Sequence, residues 1–176
     1  MKNYLLQIAL TVLSYLVPKK KNLLILGAGD AKQFQGNPKY LYLFLAQNQS
    51  SIEFYWSAKS GEQRKKLAAR NLPYINPYSK NGFIKLLRAK YIVIEKSSYD
   101  AYYTPMILGN FNFIQTWHGS PFKKVGIHAA EHLQGSIHMS SNPENLMYKI
   151  LKSINFFSRQ KYKLITSPSQ YVSEIF

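Results

Sequence analysis

The sequence predicts an α/β fold, a parallel sheet flanked by helices. Short apolar runs, one of them ending in glycine, have the form of buried parallel strands. Helical stretches separate these runs, which calls for right-handed crossovers. The 176 residues, 46% of them apolar, suffice for one domain with a core and are short for two. The 14 tyrosines and 10 phenylalanines suit half-buried strands.

The chain opens on a leader that needs its own reading. Residues 4–17 are mostly apolar, with Gln7, Thr11 and Ser14 on one helical face and Leu5, Leu6, Leu13 and Leu16 among the residues covering the rest. Fourteen helical residues span roughly 21 Å, short of the ~30 Å hydrocarbon core of a bilayer. No small-residue cleavage site follows, and the stretch runs through Pro18 into Lys19, Lys20 and Lys21, unlike a signal peptide. The expectation is an amphipathic helix lying in the membrane interface, with the lysines on anionic head groups at ~1 kcal/mol each. A helix of the domain core is the alternative. Residues 1–21 are thus a membrane-interface helix with a basic linker, and 22–176 the domain.

Within that domain, NLLILG (22–27) reads as the first strand. PKYLYLFLAQN (38–48) reads as a helix, with proline at an early helical position. A second strand is expected over 52–56, a strongly basic helix over 61–70 and another helix over 79–88. Further strands are expected over 91–95, 111–117 and 163–167. Helices are expected over 142–155, capped near Ser141 and Asn142, and from Pro168 onward. The last of these stops within about two turns, as a truncated chain would.

Composition narrows the chemistry. Lys and Arg number 23 against 8 Asp and Glu, a formal charge of +15. Such an excess attracts nucleic acid, anionic lipid or phosphate-rich polymers without choosing among them. No recognised nucleic-acid module is present, so that partner rests on charge alone. The absence of cysteine excludes disulfides and thiolate metal sites. His128 and His132 lie four residues apart, but HAAEH lacks the HExxH order of a metalloprotease, and with His138 they read as surface or supporting histidines; no metal site is assigned.

Two turns at predicted strand ends compete as sites, because ligands of open parallel sheets bind beyond the carboxyl ends. Gly27-Ala28-Gly29-Asp30 resembles part of a dinucleotide fingerprint, yet Lys32 stands where the third glycine belongs, and a tight strand-to-helix turn is the simpler reading. QTWHGSPFKKVG (115–126) is richer. A neutral imidazole at His118 can accept a proton from a hydroxyl. Gly119 allows close approach to the backbone, Ser120-Pro121 turns the chain, and Lys123 and Lys124 bring positive charge. A loop histidine bonded to a backbone carbonyl is the equal alternative. The basic run from Lys59 to Arg70 has the composition of a solvated helix face, with docking to anionic lipid as a second meaning.

FIQTWHGSPFKKVG resembles the tryptophan-histidine-glycine signature of the CDP-glycerol:poly(glycerophosphate) glycerophosphotransferase family. NPKYLYLFL from Asn37 to Leu45, the terminal ITSPSQYVSEIF and the apolar, basic leader are similar as well, so the resemblance covers essentially the whole chain. It implies the N-terminal, Rossmann-like lobe of a two-lobed glycosyltransferase-B architecture. The implied activity moves glycerol phosphate, or ribitol phosphate, from CDP-glycerol or CDP-ribitol to a hydroxyl of a lipid-linked teichoic acid or capsule polymer. The implied location is the cytoplasmic membrane face, peripherally bound. His118 takes the role of general base. Trp117, Gly119, Ser120, Lys123, Lys124, Asn37 and Lys39 fall to acceptor or phosphate binding. No tightly bound cofactor is implied. The donor-binding lobe is missing from the chain, so the chain alone is expected to be inactive or nearly so. A non-enzymatic, basic Rossmann-like module that tethers anionic lipid or polymer is the alternative.

Overall fold

The computed structural model describes residues 9–10, 12–48, 51–96, 98–102, 110–117 and 162–166. All of them belong to one compact unit made of 1–118 and 160–166. The helices expected over 142–155 and beyond Pro168 lie outside the described residues.

Six strands form one sheet: β1 (Lys20–Leu26), β2 (Glu53–Ser57), β3 (Tyr74–Ile75), β4 (Ala89–Ile94), β5 (Asn112–Gln115) and β6 (Tyr162–Ile165). Their order is β3-β2-β1-β4-β5-β6, and every pairing is parallel. Helices α1 (Gly36–Gln47), α2 (Gly61–Ala68) and α3 (Lys80–Arg88) connect the first four strands. Chain order reverses between β1 and β4, which makes their carboxyl ends the switch point of the sheet. The expected α/β architecture is what forms, with one strand more than the apolar runs announced. The first strand also begins earlier, so Lys20 and Lys21 are strand residues rather than linker.

The central strands β1 and β4 are covered on both faces, and their sequences show why. Leu23 and Ile25 of β1, with Ile92 and Ile94 of β4, point into a core with Leu86 and Leu87 of α3, Phe111 and Phe113. Leu24 and Leu26, with Val93, point the other way into a core with Tyr42 and Leu45 of α1, Trp56 and Leu67 of α2. Alternation by two residues sends neighbours to opposite faces, and a strand buried on both must be apolar throughout. The second core is aromatic. Trp56 meets Phe34 edge-on at 4.7 Å and Tyr42 at 5.8 Å, and Tyr42 meets Phe54 at 5.1 Å. The Tyr42 hydroxyl donates to the Pro73 carbonyl at 2.7 Å, and burial pushes this phenol well above its usual pKa. The starts of α2 and α3 are capped by serines: Ser60 Oγ accepts from Gln63 N, and Ser79 Oγ from Gly82 N at 3.1 Å.

Residues 12–16 are helical. Ser14 is fully buried and its hydroxyl accepts from Asn110 N at 3.2 Å, while Leu10 and Val17 pack on the first core. Val12, Leu13, Tyr15 and Leu16 are exposed, Leu16 by 74%. Among the described residues no helix is long and apolar enough to cross a membrane.

Gly27 shows how tightly the switch point is closed. A Cβ there would sit 1.8 Å from the Asp100 carbonyl oxygen. Gly61, in contrast, has only ordinary contact with Arg64 at 3.6 Å. We expect Gly27→Ala to lower stability by about 2–3 kcal/mol, the cost of overpacking, and Gly61→Ala to raise it by about 0.5 kcal/mol through the unfolded chain. Urea unfolding of both variants measures the two effects.

Candidate functional site

The carboxyl edge of the sheet is built from three segments: the turn after β1 (27–35), the turn after β4 (95–102) and the end of β5 (115–117). A short 3-10 turn, Ser98–Asp100, fills the space over β1. Its Asp100 is fully buried, and the carboxylate accepts from Asp30 N at 3.0 Å, Glu95 N at 3.1 Å and Lys96 N at 2.7 Å. Lys59, at the end of β2, donates its ammonium to Tyr99 O at 2.7 Å and Tyr102 O at 3.1 Å. Burial lowers the pKa of Lys59, while Asp30 and Asp100 pull it back up. Ser57 Oγ donates to Ala101 O.

These contacts decide the reading of Gly27-Ala28-Gly29-Asp30. In a dinucleotide fold the glycines let a pyrophosphate reach the backbone. Here the room beside Gly27 is taken by the backbone of Asp100. The turn is also wound through left-handed conformations at Gly29 (φ 55°), Asp30 (58°) and Ala31 (57°). It is a packing turn, as its incomplete fingerprint suggested.

The segment leading to His118 is held from several sides. Thr116 N and Oγ1 both donate to Ile94 O, at 2.9 and 3.1 Å. Thr166, past β6, donates from its N to Gln115 O at 2.9 Å and from its hydroxyl to Thr116 O at 3.1 Å. Gln115 Nε2 donates to Glu95 O at 3.0 Å. Asn37 reaches across from the first turn of α1: its Nδ2 donates to Thr116 O at 2.8 Å and Trp117 O at 2.7 Å. Trp117 is left-handed (φ 55°), a conformation that a non-glycine residue adopts only when its surroundings impose it.

The structure therefore joins Asn37 to Trp117, two expected site residues 80 positions apart. The Asn37 amide nitrogen is committed to backbone. Lys39, two residues on, lies with its ammonium 5.8 Å from the Phe34 ring centre and 5.6 Å from that of Tyr40. His118, Gly119, Ser120, Lys123 and Lys124 lie outside the described residues, as do Leu5, Leu6 and the other three histidines. Among the described residues no group of three or more metal-capable side chains occurs. Of the leader lysines, Lys19 donates to Leu87 O at 2.6 Å and lies 3.8 Å over the Phe111 ring, Lys20 pairs with Glu53, and Lys21 is exposed.

Sequence reasoning missed Asp100 and Glu95. Glu95 is buried and packs on Gly36, where a Cβ would fall 1.8 Å from its Oε1. Only the positive φ of Gly36 (70°) marks this contact locally.

An all-parallel sheet wound in this order, with its polar apparatus gathered at the carboxyl edge, defines a Rossmann-like lobe. The chain belongs to the CDP-glycerol:poly(glycerophosphate) glycerophosphotransferase family, whose sequence pattern it matches over residues 9–176. It is 29% identical over 157 residues to a teichoic acid glycerol-phosphate transferase of Staphylococcus aureus, covering 89% of this chain and 36% of that protein. It is 25% identical over 164 residues to a teichoic acid poly(glycerol phosphate) polymerase of Bacillus subtilis, covering 91% of this chain and 20% of the relative. The chain thus spans about a third or less of these relatives' length. The solved wall teichoic acid polymerase TagF shares the fold, with a TM-score of 0.56 at 18% identity over 99% of this chain and 41% of TagF.

Lys19 yields a prediction with a defined sign. Burial, then repulsion from Lys90, lowers its pKa to about 8, below the ~10.4 of an unfolded lysine. Between these values the unfolded chain holds a proton that the folded chain has released, so stability rises with pH. Compared with Lys19→Met, the wild type should gain stability from about pH 8 to about pH 10. Urea midpoints for both proteins across that range provide the check.

Proposed function

We propose that the chain is the acceptor-side, membrane-docking lobe of a transferase. The enzyme would move glycerol phosphate, or ribitol phosphate, from a CDP-linked donor to a hydroxyl of a lipid-linked teichoic acid or capsule polymer. In the proposed step, the His118 imidazole takes the proton of the acceptor hydroxyl. The resulting oxygen attacks the phosphorus that bears the alditol, the bond to the bridging oxygen breaks, and CMP leaves. Such transfers depend on positioning and on charge stabilisation more than on covalent chemistry.

The observation that carries this reading is the clamp on residues 115–117. Asn37, Thr116 and Thr166 fix the backbone up to the residue before His118 at the edge where ligands of such sheets bind. A general base works only from a fixed position. Asn37 therefore serves as a positioning residue. The surplus of cations favours a phosphate-rich acceptor. The donor, whose binding falls to the second lobe in this reading, is CDP-glycerol or CDP-ribitol, and the 176-residue chain alone should not turn it over. A variant of TagF soaked with CDPG is among the solved structures that share the fold.

Membrane attachment rests on the leader. Ser14 turns inward and Val12, Leu13, Tyr15 and Leu16 outward, the division that an interfacial helix needs. The enzyme would then sit peripherally on the cytoplasmic face, where lipid-linked acceptors are presented.

Two measurements test the proposal. In a protein carrying both lobes, His118→Gln should leave folding intact and lower glycerol phosphate transfer by about 10²–10⁴-fold; a loss of only a fewfold removes the base role. Leu13→Glu with Leu16→Glu should abolish co-sedimentation with anionic vesicles. Unchanged sedimentation would move membrane attachment elsewhere.

A further inference from the structure

The expectation that Trp117 binds acceptor or phosphate requires its indole to reach a ligand. The indole has one donor, the Nε1–H, and Nε1 is buried. What is unusual about Trp117 is its backbone. A φ of 55° is one that glycine adopts freely and a residue with a Cβ resists. Asn37 explains how it is kept there. Its Nδ2 donates to Thr116 O at 2.8 Å and to Trp117 O at 2.7 Å, the carbonyls before and after the Trp117 nitrogen and Cα. Successive carbonyls of a strand point to opposite edges, so one nitrogen cannot bridge them. In a helical turn of either hand they run together, and the bridge forms.

Thr166 holds the same turn from the other side. Its hydroxyl donates to Thr116 O at 3.1 Å and its N to Gln115 O at 2.9 Å. We propose that Trp117 and Thr166 are positioning residues, and that Trp117 acts through its left-handed backbone instead of through contact between its indole and the acceptor. Thr166 anchors the carbonyl that precedes the turn, and the Asn37 bridge selects the left-handed state. The chain thereby leaves the line of β5 immediately before His118. A glycine at 117 would occupy turn and strand alike once the bonds loosened. With a Cβ present, the turn lasts only while Asn37 and Thr166 hold it. This inference deepens the transferase reading and rests on it for the role of His118.

Comparison of alanine with glycine at position 117 tests the proposal. In a protein carrying both lobes, Trp117→Ala should lower kcat about fivefold more than Trp117→Gly, because glycine keeps the turn without penalty. The KM for the CDP-linked donor should stay within about twofold. An indole that touches the acceptor would make the two losses equal, and that result overturns the proposal. Thr166→Val should lower kcat by up to about tenfold, the loss of one hydrogen bond, and Thr166→Ser should restore most of it. Failure of serine to rescue would remove Thr166 from the role. Urea unfolding of the 176-residue chain gives a reading free of catalysis. Asn37→Ala should lower the midpoint less in the wild type than in Trp117→Gly, since only tryptophan gains by relaxing out of the left-handed state. Equal losses would overturn the selecting role of the bridge. If His118→Gln costs only a fewfold, the base reading falls, while coupled urea midpoints leave the clamp standing. If His118→Gln costs its full factor and alanine equals glycine at 117, the proposal falls and the base reading stands.

Discussion

The buried carboxylate of Asp100 is the contact on which the carboxyl edge depends. A charge removed from water is tolerable only where hydrogen bonds replace its hydration. Asp100 receives them from backbone amides on two sides, Asp30 after β1 and Glu95 and Lys96 after β4. It thereby ties together the two strands between which the winding reverses. The rest of its turn is fastened to β2 through Ser57 and Lys59. Gly27 lets the turn come this close, since any side chain there would collide with the Asp100 carbonyl. A switch point that would otherwise be an open crevice is closed by the protein itself.

Strained backbone gathers along the same edge. Gly29, Asp30, Ala31, Gly36 and Trp117 all have positive φ. For the three that are not glycine this costs on the order of 1 kcal/mol each or more. Each is held by its surroundings: Asp30 through Asp100, Ala31 through the Lys59 amide that donates to its carbonyl at 2.8 Å, and Trp117 through Asn37. The glycine at position 36 lets Glu95 pack against the start of α1, which brings Asn37 within reach of the β5 end. Strain of this kind persists where a fixed geometry is useful, and at Trp117 it lies directly before the histidine proposed as base.

Much of this could be read from the sequence, and the failures have physical causes. NLLILG and YIVIE announce β1 and β4 because strands buried on both faces must be continuously apolar. The two-residue β3, set between Pro73 and Pro77, is too short to carry any period. The basic helix reads as a solvated face, and most of α2 is one, yet Leu67 and Gln63 are buried, and no local pattern distinguishes a buried glutamine from an exposed one. Asn37 was legible as part of a motif, but its action on Trp117 spans 80 residues and exists only in the fold. Asp100, in an unremarkable SSYDAY turn, gave no signal because its partners are backbone amides, which every sequence supplies.

The charge of the chain acquires meaning only when its cations are sorted by what they touch. Lys19 caps the last turn of α3 through the Leu87 carbonyl, where the helix dipole favours a cation. Lys59 and Arg64 bind carbonyls at the strand ends, Arg64 those of Ala58 at 3.1 Å and Lys59 at 2.6 Å. These cations satisfy the fold and offer little to a polyanion. Lys32, Lys39, Lys66 and Arg70 gather around one cavity and share a single lining carboxylate. A diffuse surplus of charge raises the local concentration of any anion, and these four, free of the carbonyls that occupy Lys19, Lys59 and Arg64, are the cations placed to do so.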